Sequence, residues 1–208
     1  MTINNRLKEY VERNILPLYL SFDKAHNIDH AEQVIAQSLK LAESYDVNID
    51  MVYAIAAFHD TGLTHGRELH HIFSGEAVAA DPFLTEFFTA EQIVTMREAV
   101  EDHRASSATA PRTIYGRIVA EADRCIDPMT VIRRTIQFGL KHYPALSVDE
   151  QFDRCCNHLE EKYGYNGYLK LWIPQSDNAI RLNALREIAS DKVRLRTIFD
   201  TIFAEERV

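Results

Sequence analysis

His59 and Asp60 are the residues of this chain with the plainest chemical potential. They are adjacent, directly after the apolar run Met51-Val52-Tyr53-Ala54-Ile55-Ala56-Ala57-Phe58. A run with no polar face belongs in a protein interior. An ionised Asp carried inside with it is costly unless a cation compensates. A metal ion is the simplest compensation, since imidazole and carboxylate are both ready ligands. That combination suits Mn, Fe, Co, Ni or Zn better than Mg, which prefers oxygen donors throughout. Such an ion lowers the pKa of a bound water and draws charge from a phosphoryl oxygen.

Partners for the pair occur at wide spacing. His30 lies upstream in His26-Asn27-Ile28-Asp29-His30, His71 and His103 follow, and Asp123 comes in Glu121-Ala122-Asp123-Arg124. Helical periodicity turns them inward. Ala31, Val34, Ser38, Leu41, Ala42 and Tyr45 mark a stripe that His30 joins, and Ile93, Met96 and Val100 lead to His103. His71, Ser74, Gly75 and Val78 form a face of small residues, and Asp123 shares a side with Val119 and Ile126. A single inward histidine is ordinarily a hydrogen-bonded core residue, and Asp123 alone would pair with Arg124 or cap a helix. One metal site accounts for all six positions together. His70 is left out, because neighbours about a hundred degrees apart on a helix rarely share an ion. His65, in Thr64-His65-Gly66, is read as a residue that gates or touches substrate, and His142 and His158 as surface residues.

The elements that must position these groups are helical. The pattern predicts helices near 3–20, 28–46, 50–60, 69–80, 90–104, 114–126, 129–141, 148–163 and 178–204. No alternating run with hairpin turns supports a strand-based fold, so the class is all-α. The segment from Ala105 to Thr113 reads as a loop that shapes the pocket mouth. Tyr163 to Pro174 reads as either a lid or a connector. Leu185, Ile188, Ile198 and Ile202 share one side of the last helix, as core or as a homodimer contact.

The 208 residues, 46% hydrophobic, suit one globular domain. Within residues 1–208 a metal-binding core spans about 23–127 and a helical extension about 128–208. Seven Gly and six Pro, widely spread, mark no linker. The longest apolar run is too short to cross a bilayer, and residues 1–20, with Arg6, Lys8, Glu9, Glu12 and Arg13, are no signal peptide. Cys125 and the vicinal Cys155-Cys156 make neither a pairing framework nor a zinc spacing, so reduced thiols in a cytoplasmic protein are expected. A formal charge of −8 argues against a nucleic-acid surface and leaves room for a small anionic substrate in a locally positive pocket.

His30, His59-Asp60 and Asp123 together resemble the H…HD…D signature of the HD superfamily of metal-dependent phosphohydrolases. The resemblance covers about Asp23 to Asp127. His26-x-x-x-His30 is similar to the family's opening motif and His71-Ile72-Phe73-Ser74 to its H-x-x-S element. Asp102-His103-Arg104-Ala105-Ser106-Ser107, Pro111-Arg112-Thr113-Ile114-Tyr115-Gly116-Arg117-Ile118, Lys162-Tyr163-Gly164-Tyr165-Asn166-Gly167-Tyr168 and Leu169-Lys170-Leu171-Trp172 resemble a subgroup of small stand-alone bacterial HD proteins. The resemblance implies a single-domain HD-type helical bundle in which His30, His59, Asp60 and Asp123 hold one metal. It further implies that His71 and His103 complete a second position, bridged by Asp60. Thr61-Gly62-Leu63 departs from the Gly-Lys that follows the pair in two-metal signalling phosphodiesterases, and the Gly-Tyr-Pro element is missing, which disfavours a cyclic-dinucleotide substrate.

The activity expected on these grounds is hydrolysis of a nucleotide or another small phosphorylated metabolite by a metal-activated water. Asp60 would orient that water or take its proton, and Arg67 and Arg104, each within a turn of a proposed ligand, would hold the phosphate. Arg124 is a weaker candidate. His26 is either a proton donor beside His30 or a hydrogen bonder at the helix entry. Two other readings stay open: a di-iron oxygenase of the same superfamily, as in myo-inositol oxygenase, and a non-catalytic ligand-binding module.

Overall fold

The computed structural model describes residues 2–23, 26–105, 109–124 and 126–207, and among them it contains helices and no strand. The fold is all-α, as expected. The chain divides into two compact units, Met1–Arg124 and Cys125–Val208. No Gly- or Pro-rich linker marks that boundary, which lies close to the end of the expected metal-binding core.

In the N-terminal unit, α1 (Asn5–Tyr10) continues through a π segment, Val11–Ile15, into a 3₁₀ segment, Leu16–Ser21. The expected helix over 3–20 is therefore helical but changes its winding. Pro17 has no N–H to give to an α bond, which favours the change beyond Ile15. Leu7, Val11, Ile15 and Tyr19, spaced every four residues, are all buried. A regular α-helix would carry that spacing off one face, and the wider π turn returns it.

Next come α2 (Ile28–Ala42) and α3 (Ile49–Phe58). Asn27 caps α2 by accepting from the His30 N–H at 3.1 Å, and Asn48 caps α3. Every residue from Met51 to Gly62 is buried, so α3 has the position that its lack of a polar face demands. After α3 the chain makes a 3₁₀ turn, Thr61–His65, before α4 (His70–Ala80), α5 (Ala90–Glu101) and α6 (Ile114–Ala122). Helix α3 packs against α2, α5 and α6, and α4 packs against α5 and the Thr61–His65 turn. Thr89 and Gln92 close a capping box on α5. The expected loop between α5 and α6 is held at Arg112, whose backbone N–H donates to Asp102 at 2.7 Å; residues 106–108 lie outside the described set.

The C-terminal unit is built from α7 (Pro128–His142), α8 (Val148–Tyr163), α9 (Asp177–Ser190) and α10 (Lys192–Glu206) around Ile132, Ile136, Cys155, Leu159, Leu185, Leu195 and Phe199. The expected helix over 178–204 is two helices. Asp191 leaves the helical region at ψ 92° and its carboxylate caps α10 through the Val193 and Arg194 N–H groups. Leu185, Ile188 and Ile202 are buried in this core and Ile198 packs on it. In the Tyr163–Pro174 segment, Leu169 is buried with Ile126 and Leu182. Cys155 and Cys156 are buried free thiols, while Cys125 lies outside the described residues. Among the described residues no helix is long and apolar enough to cross a membrane.

Gly62 joins α3 to α4. Its N–H donates to the buried Ser74 hydroxyl at 2.8 Å, and a Cβ at this position would run into the His70 carbonyl and the Ser74 backbone nitrogen. These obstacles are backbone atoms, which cannot swing away. Gly62→Ala should therefore destabilise the fold by at least about 1–3 kcal/mol, and Ser74→Ala, which orphans a buried N–H, by about 1–3 kcal/mol. Urea unfolding of both variants checks this, and an unchanged midpoint for Gly62→Ala would remove the close approach from the account of α4.

Candidate metal centre

Helix ends deliver each of the clustered polar groups. His30 is in the first turn of α2, His59 caps the end of α3 with Asp60 next to it, and His70 opens α4. His103 follows α5, and Asp123 caps the end of α6. His59, Asp60 and His103 are buried.

Two groups share Asp60. Its Oδ2 lies 3.4 Å from His59 Nε2 and 3.8 Å from His30 Nε2. Its Oδ1 lies 3.3 Å from His103 Nε2 and 3.4 Å from His70 Nε2. Asp123 Oδ1 adds a second carboxylate to the first group, 3.3 Å from His30 Nε2 and 4.0 Å from His59 Nε2. His30, His59 and Asp60, and separately Asp60, His70 and His103, each bring one donor atom within 4.8 Å of the others, a spacing that could hold an ion.

The tautomers decide what these donors can do. Nδ1 of His59 meets the Ala56 carbonyl at 2.7 Å, Nδ1 of His70 the Arg67 carbonyl at 2.8 Å, and Nδ1 of His103 the Val100 carbonyl at 2.6 Å. A carbonyl only accepts, so each Nδ1 carries its hydrogen and each neutral ring turns a lone pair outward at Nε2. The lone pairs of His70 and His103 converge, Nε2 to Nε2 at 3.2 Å, and His59 Nε2 lies 3.3 Å from His30 Nε2. Two facing lone pairs repel unless a proton or a metal ion lies with them. The donor set of imidazole nitrogen and carboxylate thus fits a divalent transition metal.

The titration shifts agree. Burial alone would push His59 down, but Asp60 and Asp123 overcome it and lift the ring to about 9, so without a metal His59 keeps a proton on Nε2. Burial works against ionised Asp60 and Asp123, yet the neighbouring histidines hold both well below the usual carboxylate range, His59 and His103 chiefly for Asp60 and His30 for Asp123. His70 is lowered, by burial and then by His103, which keeps its Nε2 available.

The structure brings together His30, His59, Asp60, His103 and Asp123, all anticipated, and adds His70 where His71 was expected. Ser74 explains the exchange. It lies one turn beyond His70 as well as three residues beyond His71, so both fit a His-to-Ser spacing on one helix face. The docking of Gly62 against the start of α4 sets His70 beside Asp60. His71 instead lies on the side of α4 that burial, His103 and Arg104 make hostile to charge, its ring pushed down to about 4 and its buried Nδ1 without a partner. His65 stacks on Phe73 at 4.5 Å. His142 packs on Phe138, and His158 is half-buried rather than on the surface.

Tyr19 was not foreseen. Its buried hydroxyl donates to the Ala57 carbonyl at 2.9 Å and accepts from the Asp60 N–H at 3.2 Å, holding the backbone of the His-Asp pair. Only its burial in the four-residue stripe could have drawn attention to it. Arg124 is also structural here, donating to the His103 carbonyl at 2.8 Å beside Asp123. Arg104 donates to the Glu68 carbonyl at 2.7 Å. Arg67 is exposed and reaches His26 Nε2 at 3.2 Å, while His26 Nδ1 bonds Asp23 at 2.8 Å.

The helix ends of this unit converge a His-Asp pair with further imidazoles and a second carboxylate, a cluster that could hold a metal ion. Residues 27–126 match the HD domain family, a span that contains every group of the cluster. A crystal structure of a predicted HD superfamily hydrolase from an uncultured Thermotogales bacterium has the same fold. It is 18% identical, with a TM-score of 0.53 over 98% of this chain and 94% of that one. No curated protein matches the chain at a significant level.

Two outcomes follow. His70→Ala should lower the number of transition-metal ions bound per chain, and His71→Ala should leave it unchanged, as read by elemental analysis after reconstitution; the reverse would return His71 to the cluster. The second outcome concerns pH. Raised His59 stabilises the metal-free fold below its ordinary value near 6.5, and that contribution is lost as pH rises through about 9. A metal must displace the same proton, so its binding strengthens over the same window. The rise in Tm on adding Mn²⁺ should therefore widen from about pH 6.5 to about pH 8.5, and a constant difference would rule out His59 as a ligand.

Proposed function

We propose that this protein is a metal-dependent phosphohydrolase acting on a nucleotide or another small phosphorylated metabolite. The observation that carries the reading is the convergence of imidazole Nε2 atoms on Asp60, within a span that matches the HD domain family. His30, His59, Asp60 and Asp123 would hold one divalent ion, and Asp60, His70 and His103 a second. When bound, such an ion supplies Lewis acidity to a phosphoryl oxygen and acidity to a water.

The chain's own residues supply the rest. Asp60, kept ionised by His59 and His103, orients the attacking water or takes its proton. Burial of His59 and Asp60 excludes bulk solvent, which strengthens each electrostatic interaction inside. Phosphoryl transfer asks chiefly for positioning and charge neutralisation. Arg104 follows His103 directly and its charge reaches His70, and Arg67 lies three residues before His70. They are the cations offered to a phosphate.

Protein purified without chelator, then supplied with Mn²⁺ or Co²⁺, should release phosphate from at least one member of a nucleotide and sugar-phosphate panel. Asp60→Ala should reduce that turnover by roughly a thousandfold or more, since the metal contribution is worth several kcal/mol. Arg104→Ala should lower kcat/KM by roughly tenfold to a hundredfold with the metal retained, the worth of one charged hydrogen bond. Metal-loaded protein with no turnover across the panel would make the chain a ligand-binding module. Iron-dependent oxygen uptake in its place would make it an oxygenase.

A further inference from the structure

Neighbouring residues on a regular helix point about a hundred degrees apart and would not aim at one ion. His59 and Asp60 are neighbours, yet His59 Nε2 and Asp60 Oδ2 lie 3.4 Å apart. His30 Nε2 is 3.3 Å from the first and 3.8 Å from the second. The backbone accounts for this. His59 is still helical, at φ −52° and ψ −37°, whereas Asp60 stands at φ −113° and ψ 6°. Its φ lies about 50° from the helical value, and rotation about N–Cα carries the side chain with it. Helix α3 thus ends between the two residues, and the convergence of the pair depends on what ends it.

Side chains end it. In a continuing α-helix the carbonyls of Ala56, Ala57 and Phe58 would accept from the N–H groups of Asp60, Thr61 and Gly62. Here the Ala56 carbonyl meets His59 Nδ1 at 2.7 Å, and the Ala57 carbonyl accepts from the Tyr19 hydroxyl at 2.9 Å. The Phe58 carbonyl accepts from the Thr61 hydroxyl at 2.9 Å. The Asp60 N–H turns to the Tyr19 oxygen at 3.2 Å, and the Gly62 N–H to Ser74 at 2.8 Å. Tyr19 is the group that acts on both sides of the break, as donor to Ala57 and as acceptor from Asp60. It comes from a separate segment, where the π turn Val11–Ile15 returns the buried stripe to the interior. Its ring is fixed there, 6.1 Å from the His59 ring and 5.3 Å from the Phe22 ring.

We propose that Tyr19 is a positioning residue of the cluster: its hydroxyl, assisted by that of Thr61, ends α3 between His59 and Asp60 and so aims both side chains at one metal ion. This role rests on the metal reading of the cluster. A hydroxyl is needed for it, since a phenylalanine fills the same space but neither donates to Ala57 nor accepts from Asp60. Groups that orient metal ligands without touching the ion are worth roughly tenfold to a hundredfold in metal affinity.

The test is calorimetric titration of the full-length, metal-stripped protein with Mn²⁺, with the Tm of each variant recorded. Tyr19→Phe should weaken binding roughly tenfold to a hundredfold. Tyr10→Phe removes a hydroxyl bonded to Asp81, at the end of α4 away from His70, and should lower the Tm with affinity unchanged. A Tyr19 that only stabilised the fold would behave like Tyr10. Unchanged affinity in folded Tyr19→Phe therefore overturns the proposal, and so does equal weakening in both variants. Should Tyr19→Phe fail to fold, Thr61→Val decides: weaker binding is expected, and unchanged affinity overturns the proposal. A wild-type chain that binds no Mn²⁺ overturns the metal reading itself, and this role with it.

Discussion

The centre depends on one interaction repeated three times: a histidine Nδ1–H given to the carbonyl three residues earlier in its own chain. His59, His70 and His103 each make it. The bond does two things at once. It satisfies a buried or half-buried donor, and it leaves Nε2 as a lone pair aimed away from the parent segment. Three such rings and His30 gather around the two oxygens of Asp60. A proton on His59 supplies part of the charge that balances the two carboxylates.

Everything near the cluster serves to hold those rings still. From Met51 onward α3 has no polar face and is buried on every side, and it carries His59 and Asp60 to the interior at its end. Tyr19 ties the carbonyl of Ala57 to the N–H of Asp60, and Arg124 ties the carbonyl of His103 to the neighbourhood of Asp123. Gly62 brings α4 close enough for His70 to reach Asp60. Misplacing a reacting group by an ångström is costly in catalysis, and these contacts are made through backbone atoms, which relax least.

Much of this was legible in the residues. Periodicity placed His30, His103 and Asp123 inward, and the apolar run before His59 required burial. The expected starts of α2, α3, α5 and α8 lie within one residue of the observed ones, where Asn27, Asn48, Thr89 and Ser147 cap the helices. The expected ends of α2, α5 and α6 run three or four residues past Ala42, Glu101 and Ala122. The choice between His70 and His71 was not legible. Both stand at helical spacing from Ser74, and what separates them is a backbone approach at Gly62 made by a different segment. The break at Asp191 was missed for a related reason: the apolar side of 178–204 continues through it, and only the side-chain cap on α10 marks a new start. Periodicity reports which side of a helix is buried. It does not report which buried residue meets a partner from another element.

The cluster is assembled against the gradient of stability. Asp60 is buried among imidazoles, and burying polar and charged groups together costs stability that an apolar core would keep. Stability alone would favour apolar residues at His59 and Asp60. Polar groups collected against that gradient are accounted for by what they can hold, and imidazole nitrogens with carboxylates at this spacing could hold a divalent transition metal.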